Sequence, residues 1–282
     1  MTIAELVTLF RSRVRSFTLP GQDDFTPDGT TLIWPLTHRN VVSASLTYLL
    51  DGITQVGVAT LAADTGIVTL SAAPVGTLGT YTYNYYDRWS DSVIHGWLAA
   101  GAAALYPEFY TVGADVISLS PTTYDYAFPA GAENVTVVHT RASSASRWIP
   151  NYSWDYDVDE TLGECIHFRN GPGTGQAKLR YITRPSIALP IADTSHTIAA
   201  ETGLATADAT RAEEALILYL KYCAAADEEL RRVRSDKAIT FAPGNARIAD
   251  FTQIIRDSYS AFVTHKQAVA MQPYELSLTV PR

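Results

Sequence analysis

A chain of 282 residues, 47% of them hydrophobic, carries enough apolar side chains to fold around its own core. Its charged content of 18% argues against wholesale disorder, and its formal net charge of −8 argues against sequence-independent binding of nucleic acid over the whole surface. The two cysteines, Cys165 and Cys223, form no C-x-x-C pair, which favours inert, reduced thiols. Without an apolar run of membrane-spanning length or a signal-peptide pattern, we expect a soluble protein that makes no membrane contact.

The chain opens with the signals of a helix. Thr2 and Glu5 have the spacing of a capping box, and apolar residues follow at helical intervals. We expect this helical segment to lie within residues 1–20. Short alternating runs separated by turn residues then predict a first β insertion at 30–87.

A second helix is predicted within residues 88–111, with Ser90 as its capping residue. A further set of short strands and turns predicts a second β insertion at 112–184. The proline-containing stretch at 185–207 is typical of a connecting segment.

Two long amphipathic helices are predicted within residues 208–271. Thr210 and Glu213 repeat the capping-box spacing and predict the start of the first of these helices. We therefore expect an α+β fold: a helical bundle body made of 1–20, 88–111 and 208–271, with an N-terminal helix, a central helix and two long C-terminal helices, carries the two β insertions.

One strand pattern occurs twice in the chain. Residues 64–87 and 159–184 each contain a strand, a turn rich in glycine and proline, and a second strand. This order is typical of a β-hairpin, so each copy is predicted to be a hairpin within a small sheet.

Residues 272–282 are predicted to form an extended C-terminal tail. The stretch from Tyr274 to Val280 alternates like a β-strand but has no neighbouring strand in the sequence. A strand without a local partner is a candidate for pairing with another chain. The residues expected to make this contact are Tyr274, Leu276, Leu278, Val280 and Arg282.

No residue pattern predicts a catalytic, cofactor or metal site. The histidines lack the spacing of known metal motifs. Asp155, Asp157 and Asp159 alternate along a predicted strand and are therefore expected to share one solvated face. A calcium loop would need a glycine and a glutamate where this chain has Glu160 and Ile166. We therefore expect a protein that is not an enzyme.

Two features leave binding interpretations open. Basic residues cluster near the ends of two predicted helices, at 11–15 and 231–237, where they would interact favourably with the helix dipole or contact an acidic partner. They are Arg11, Arg13 and Arg15 in the first cluster and Arg231, Arg232, Arg234 and Lys237 in the second. Tyr81, Tyr83 and Tyr85 alternate along one strand, an arrangement that suits either sheet packing or the stacking of a sugar.

The predicted elements resemble those of head-to-tail connector proteins of tailed bacteriophages, the adaptor or head-completion class. The resemblance rests on the N-terminal helix, on a helix that ends in Ala104-Leu105-Tyr106-Pro107-Glu108-Phe109, on the long helices at 210–234 and 246–270, and on the extended tail. The strand-and-turn pattern from Leu49 to Pro74 also recurs in phage structural proteins.

This resemblance implies a structural virion protein in the neck, at the head–tail junction, made in the cytoplasm of the host bacterium. Its copies would form a ring, commonly of twelve, between the portal protein and the next neck or tail protein. DNA would pass through the ring without specific binding, and the C-terminal tail would contact the portal or a neighbouring subunit.

Two other functions stay open. One is another neck, tail or baseplate protein, such as a stopper or a receptor-contacting β module. The other is an enzyme, for example a glycan hydrolase with β modules, which would need two carboxylates that converge in a cleft.

Overall fold

The computed structural model describes residues 1–55, 57–188, 195–236 and 246–271. The chain divides into two compact units, each assembled from three segments. Unit 1 comprises Met1–Ala99, Ala188–Thr197 and Leu216–Phe262, and unit 2 comprises Ala100–Ile187, Ile198–Ala215 and Val263–Arg282.

The described residues contain five α-helices: α1 (Ile3–Val14), α2 (Asp91–Ala104), α3 (Ile198–Thr202), α4 (Thr206–Asp236) and α5 (Ala246–Ala268). The predicted capping box of α1 is confirmed: the Thr2 hydroxyl accepts from the Glu5 amide at 3.2 Å, and the Glu5 carboxylate accepts from the Thr2 amide at 2.8 Å. Within the described ranges, no helix is both long and apolar enough to cross a membrane.

The predicted start of α4 is wrong. The helix begins at Thr206, four residues before the expected cap at Thr210. The Thr210 hydroxyl instead donates to the Thr206 carbonyl at 2.9 Å, which is the bond that a threonine makes inside a helix. A capping-box spacing therefore also occurs within this helix.

Unit 1 contains a β-sandwich. Its strands in the described residues are β1 (Thr18–Phe25), β2 (Ile33–Pro35), β3 (Thr47–Leu50), β4 (Ile53–Gln55), β5 (Val58–Ala62), β6 (Ile67–Leu70) and β7 (Gly79–Tyr86). They form a four-stranded antiparallel sheet with the order β1-β7-β3-β4 and a three-stranded sheet with the order β2-β6-β5. Tyr48 and Tyr81 of the first sheet and Val68 of the second are buried in one apolar cluster, so the two sheets pack face to face.

Unit 2 contains a second β-sandwich. Its described strands are β8 (Thr111–Leu119), β9 (Asp125–Ala127), β10 (Ala132–Arg141), β11 (Ile149–Asn151), β12 (Trp154–Asp159), β13 (Gly163–Phe168) and β14 (Gly175–Thr183). The sheets have the orders β11-β10-β14-β8 and β12-β13-β9. Val138 and Leu179 of the first sheet pack with Ile166 and Phe168 of the second.

The two sandwiches have the same topology. When the strands are counted from the first of each unit, both four-stranded sheets have the order 1-7-3-4 and both three-stranded sheets have the order 2-6-5. The register agrees as well, since Trp34 lies opposite Val68 in unit 1 and Tyr126 lies opposite Ile166 at the equivalent strands of unit 2. The chain therefore contains a structural duplication of a seven-stranded unit.

The expected helical bundle body is wrong. The fold is mixed and mostly rich in β-sheet, with about 34% strand in four antiparallel sheets. The long helices have a strong periodic signal, whereas each strand of three to ten residues has a weak one. The helices were therefore easy to recognise in the sequence, and the share of β-sheet was underestimated. The packing of the sheets depends on partners far away in the chain.

The repeated pattern at 64–87 and 159–184 does not form hairpins. β6 and β7 belong to different sheets of unit 1, and β13 and β14 belong to different sheets of unit 2. The turn between the strands of each pair therefore connects the two layers of a sandwich. The pattern does mark equivalent parts of the duplicated unit.

Candidate functional site

The predicted contact residues of the tail, Tyr274, Leu276, Leu278, Val280 and Arg282, lie outside the described residues. The structure does describe the point at which the tail begins. The amide of Met271 donates to the carbonyl of Glu108 at 2.9 Å. In return, the amide of Tyr110 donates to the thioether sulfur of Met271 at 3.4 Å.

A mostly buried ion pair holds the end of α5 at this point. Lys266 Nζ lies 2.8 Å from Glu108 Oε2, and the two side chains are only 12% and 16% exposed. The same ammonium group donates to the carbonyl of Ala104, the last residue of α2, at 3.0 Å and to the carbonyl of Tyr106 at 3.4 Å. These bonds give the C-terminal segment a fixed origin beside residues 104–110.

Sequence reasoning missed this anchor. Lys266 stands in the last turn of α5, where a cation is favoured by the helix dipole whatever else it contacts. Glu108 is 158 positions earlier in the chain, so no local spacing links the two.

The first arginine cluster has a structural role at Arg11. This side chain is buried and donates to Asp91 Oδ1 at 2.9 Å. Its guanidinium carbon lies 3.4 Å from the centroid of the Tyr86 ring, a cation–π contact. Arg11 therefore joins α1, β7 and the start of α2 within unit 1.

A shallow groove of about 290 Å³ in unit 1 has a partly cationic lining. Arg13, Arg88 and Lys221 contribute to its wall, together with the buried ring of Trp89. Arg88 also faces Glu228 at 3.6 Å, so part of the positive charge is balanced within the protein. The groove could accept an acidic side chain, but its floor is too open to enclose a small molecule.

The only group of potential metal ligands found in the described residues is Asp125, Asp157 and His167, on the three strands β9, β12 and β13 of unit 2. Their ligand atoms all lie within 4.8 Å of one another. His167 Nδ1 is 2.7 Å from Asp125 Oδ1, so these two groups already satisfy each other by hydrogen bonding. The carboxylates and imidazole are chemically suited to a divalent cation, but the bond between Asp125 and His167 needs none.

The alternating aspartates of β12 have separate partners. Asp155 pairs with Arg169, and the hydrogen bonds from that guanidinium hold the pKa of Asp155 below its usual value. Asp159 accepts from the amides of Thr161 and Leu162, both at 2.8 Å, and so closes the turn after β12. Two of these aspartates are therefore occupied by local structural bonds.

The cysteines lack the features of nucleophiles. Burial raises the pKa of the Cys165 thiol, and burial raises the pKa of Cys223 to about 11. Both groups therefore stay protonated at neutral pH, and a thiol is a far weaker nucleophile than a thiolate.

The tyrosine stripe of β7 is part of the core. Tyr81 and Tyr83 are 1% and 3% exposed, and the Tyr83 hydroxyl donates to Asp23 Oδ2 at 2.6 Å. His38 Nδ1 lies 3.0 Å from the same hydroxyl, and the His38 ring stacks on Tyr85 at 3.9 Å. Because these rings pack against the protein, they do not offer a stacking platform for a sugar.

No protein-family model matches the chain, and no curated protein matches its sequence.

Proposed function

We propose that the chain is a structural virion protein of a tailed bacteriophage, an adaptor whose copies form a ring that joins the portal to the tail. The ring would contain commonly twelve copies and form part of the DNA channel in the neck. The protein would act in virion assembly and in genome ejection, without catalysis and without a cofactor. Its partners would be the portal protein, the next neck or tail protein and further copies of itself.

The observation that carries this proposal is the fixed origin of the C-terminal segment. Lys266 and Met271 attach the end of α5 to residues 104–110, so the segment that follows has a defined starting point in unit 2. A connector that reaches a neighbour with a terminal strand needs such an origin, because an anchored segment loses less entropy when it binds. Tyr274, Leu276, Leu278, Val280 and Arg282 would make the contact.

Charge supports the same function. The net charge of −8 disfavours tight binding of the DNA backbone, since a surface that repels phosphate releases no counterions on contact. DNA could therefore move through a ring of these chains without being held.

The test combines the purified protein with the portal complex of the same virus and measures particle masses by mass photometry. We expect monomers alone and one ring of copies on each portal. A chain that ends at Gln272 should no longer bind the portal, while the fold of both units is retained by circular dichroism. Unchanged ring formation by the shortened chain would refute the role of the tail, and no ring with either chain would refute the adaptor.

A second function is favoured by exposed side chains on the three-stranded sheet of unit 2 and the loop before it. Tyr124, Tyr156 and Val158 are 44%, 53% and 65% exposed. Exposed aromatic and aliphatic groups of this kind suit a tail or baseplate protein that contacts a receptor. A stable small oligomer that ignores the portal in the same experiment would favour this alternative.

A further inference from the structure

The edge strand β8 of unit 2 is long and poorly protected. It pairs with β14 on one side and has no strand on its other side within the described residues. Its nine residues contain no proline and a single charged residue, Asp115. Val112 and Val116 are 47% and 51% exposed on the face that points away from the sandwich core. An open edge of this kind is a template for a further strand.

The duplication supplies an internal comparison for this edge. β1 is the equivalent edge strand of unit 1, and the register of the two sheets aligns Pro20 with Val112 and Asp24 with Val116. Proline removes a main-chain donor, and a charged side chain discourages pairing. β1 therefore carries two features that block strand addition, and β8 has apolar residues in their place.

The contacts of Met271 identify the occupant of the edge. The Met271 amide donates to the Glu108 carbonyl, and the Tyr110 amide points back at Met271, where its acceptor is the side-chain sulfur. In a parallel ladder, one residue bonds to the residues before and after its opposite partner. The Met271 amide makes the first bond of this pattern, with residue 109 as its opposite partner, and the Tyr110 amide has the direction that the second bond requires. A parallel ladder that continued from here would run along β8.

We propose that the C-terminal segment of the same chain, residues 274–280, adds to the edge of β8 as a parallel strand. Continuing the register from Met271 places Tyr274 opposite Val112 and Leu278 opposite Val116. Because directly opposite residues share a face, the apolar side of the segment covers the two exposed valines.

The segment has the length and pattern that this pairing requires. In this register the nine residues of β8 lie opposite residues 273–281, so the chain is long enough to cover the whole strand. Pro273 withholds one main-chain donor, so the ladder resumes at Glu275. The alternation of apolar with polar residues in 274–280 then turns Glu275, Ser277 and Thr279 toward the opposite face.

This pairing concerns the isolated chain and stands independently of the adaptor function. In an adaptor, the segment would exchange the edge of β8 for the portal or a neighbouring subunit. Covering β8 before that exchange would keep free copies from pairing through their open edges.

A disulfide tests the register. Neighbouring strands lie about 4.8 Å apart, within the range that a disulfide spans. We expect Val116→Cys with Leu278→Cys, in the full chain, to form an intramolecular disulfide on mild oxidation, identified by peptide mass spectrometry. The matched control, Val116→Cys with Thr279→Cys, places the second thiol on the opposite face and should crosslink at least about tenfold more slowly.

Hydrogen exchange gives an independent test that needs no substitution. The Tyr110 amide faces Met271, and the alternation of main-chain groups along a strand then places those of Val112, Ala114, Val116 and Ser118 toward the open edge. A chain that ends at Met271 should exchange these amides at least about tenfold faster than the full chain, while amides bonded to β14 stay protected. Equal exchange in both chains, or a disulfide found only between two molecules, would overturn the proposal.

Discussion

The ring of Tyr83 in β7 lies directly against Gly21 in β1, so that a Cβ atom on this glycine would come within 2.7 Å of Tyr83 Cε2. The same relationship occurs in unit 2, where a Cβ atom on Gly113 would come within 2.6 Å of Tyr181 Cε2. Each glycine also lies opposite its tyrosine in the register of the two strands. The duplicated units therefore share a packing detail as well as a topology.

Each tyrosine also bonds to an aspartate that follows the glycine by two residues. The Tyr83 hydroxyl donates to Asp23 at 2.6 Å, and the Tyr181 hydroxyl donates to Asp115 at 3.3 Å. The bond fixes the far end of the ring over the glycine. Each unit therefore contains a Gly-x-Asp segment in its edge strand that faces a tyrosine of the next strand. This shared arrangement supports the duplication at the level of individual residues.

Substitution of these glycines should destabilise the protein. We expect Gly21→Ala to cost about 1–3 kcal/mol of the free energy of unfolding, because the Tyr83 ring must move away from its hydrogen bond. Gly113→Ala should cost less, because Tyr181 is partly exposed and has a longer bond to Asp115. Urea unfolding followed by circular dichroism measures both.

The control for the glycine substitutions is Gly96→Ala in α2. An added Cβ there meets no atom within 4 Å, and alanine favours a helix, so stability should rise by about 0.5–1 kcal/mol. If Gly21→Ala unfolded at the same urea concentration as the parent, the close packing against Tyr83 would be disproved.

Loss of the hydroxyl group should change the stability of the protein differently at the two buried tyrosines of β7. Tyr83→Phe removes a donor to Asp23 and a partner of His38, which should cost about 1–3 kcal/mol. Tyr81→Phe should be neutral or stabilising, because the Tyr81 hydroxyl is buried and has no hydrogen-bond partner among the described residues. Thermal unfolding compares the two variants, which change the same single atom, and an equal loss in both would contradict this assignment.

Acid should weaken unit 1 through Asp23. Burial acts to raise the pKa of Asp23, but hydrogen bonds from Thr37 and Tyr83 outweigh it and hold the pKa below its usual value. A carboxyl whose pKa is lowered by folding stabilises the fold above its unfolded pKa of about 3.9, and this contribution is lost as the pH falls through the folded pKa.

We therefore expect the Tm of the parent to fall between pH 4 and pH 2, and that of Asp23→Asn to fall less over the same interval. Asparagine keeps the side-chain size but cannot titrate. Scanning calorimetry at several pH values gives both curves. Parallel curves would show that Asp23 does not contribute to the acid sensitivity.

Breaking the mostly buried ion pair at the origin of the tail should be strongly destabilising. Lys266→Met leaves the Glu108 carboxylate without its ion-pair partner in a site that is 16% exposed, and such a loss costs about 3–5 kcal/mol. The double variant Lys266→Met with Glu108→Leu should recover most of that loss, because it removes both charges together.

A double-mutant cycle in urea measures this coupling. The single Glu108→Leu variant completes the cycle, and the coupling should exceed the additive expectation by at least about 1 kcal/mol. Additive losses in the two single variants would show that the ion pair does not hold the end of α5.

Local features were predictable where neighbouring residues decide them. The capping box of α1 was predicted from Thr2 and Glu5, because both partners lie within four residues. The same spacing at Thr210 gave a wrong helix start, because the hydroxyl of a threonine inside a helix can donate to a carbonyl of the preceding turn. Strand segments were visible as alternation, but the assignment of β6 and β7 to different sheets depended on partners that the pattern does not name.

The contacts around the tail were not predictable from spacing. Lys266 and Glu108 meet only because α5 and the end of α2 pack together in unit 2. The weakness of the β8 edge likewise became visible only when the register placed Val112 and Val116 where β1 has Pro20 and Asp24.

The sequence by itself determined the long helices, the first helix cap and the alternating character of the last residues, because each depends on interactions within a few residues. Tertiary structure alone decided that the strands form two sandwiches of one topology and that the C-terminal segment begins beside an open edge. The physical reason is that sheet pairing and buried ion pairs join residues far apart in the chain, so their energies depend on long-range packing that no local pattern contains.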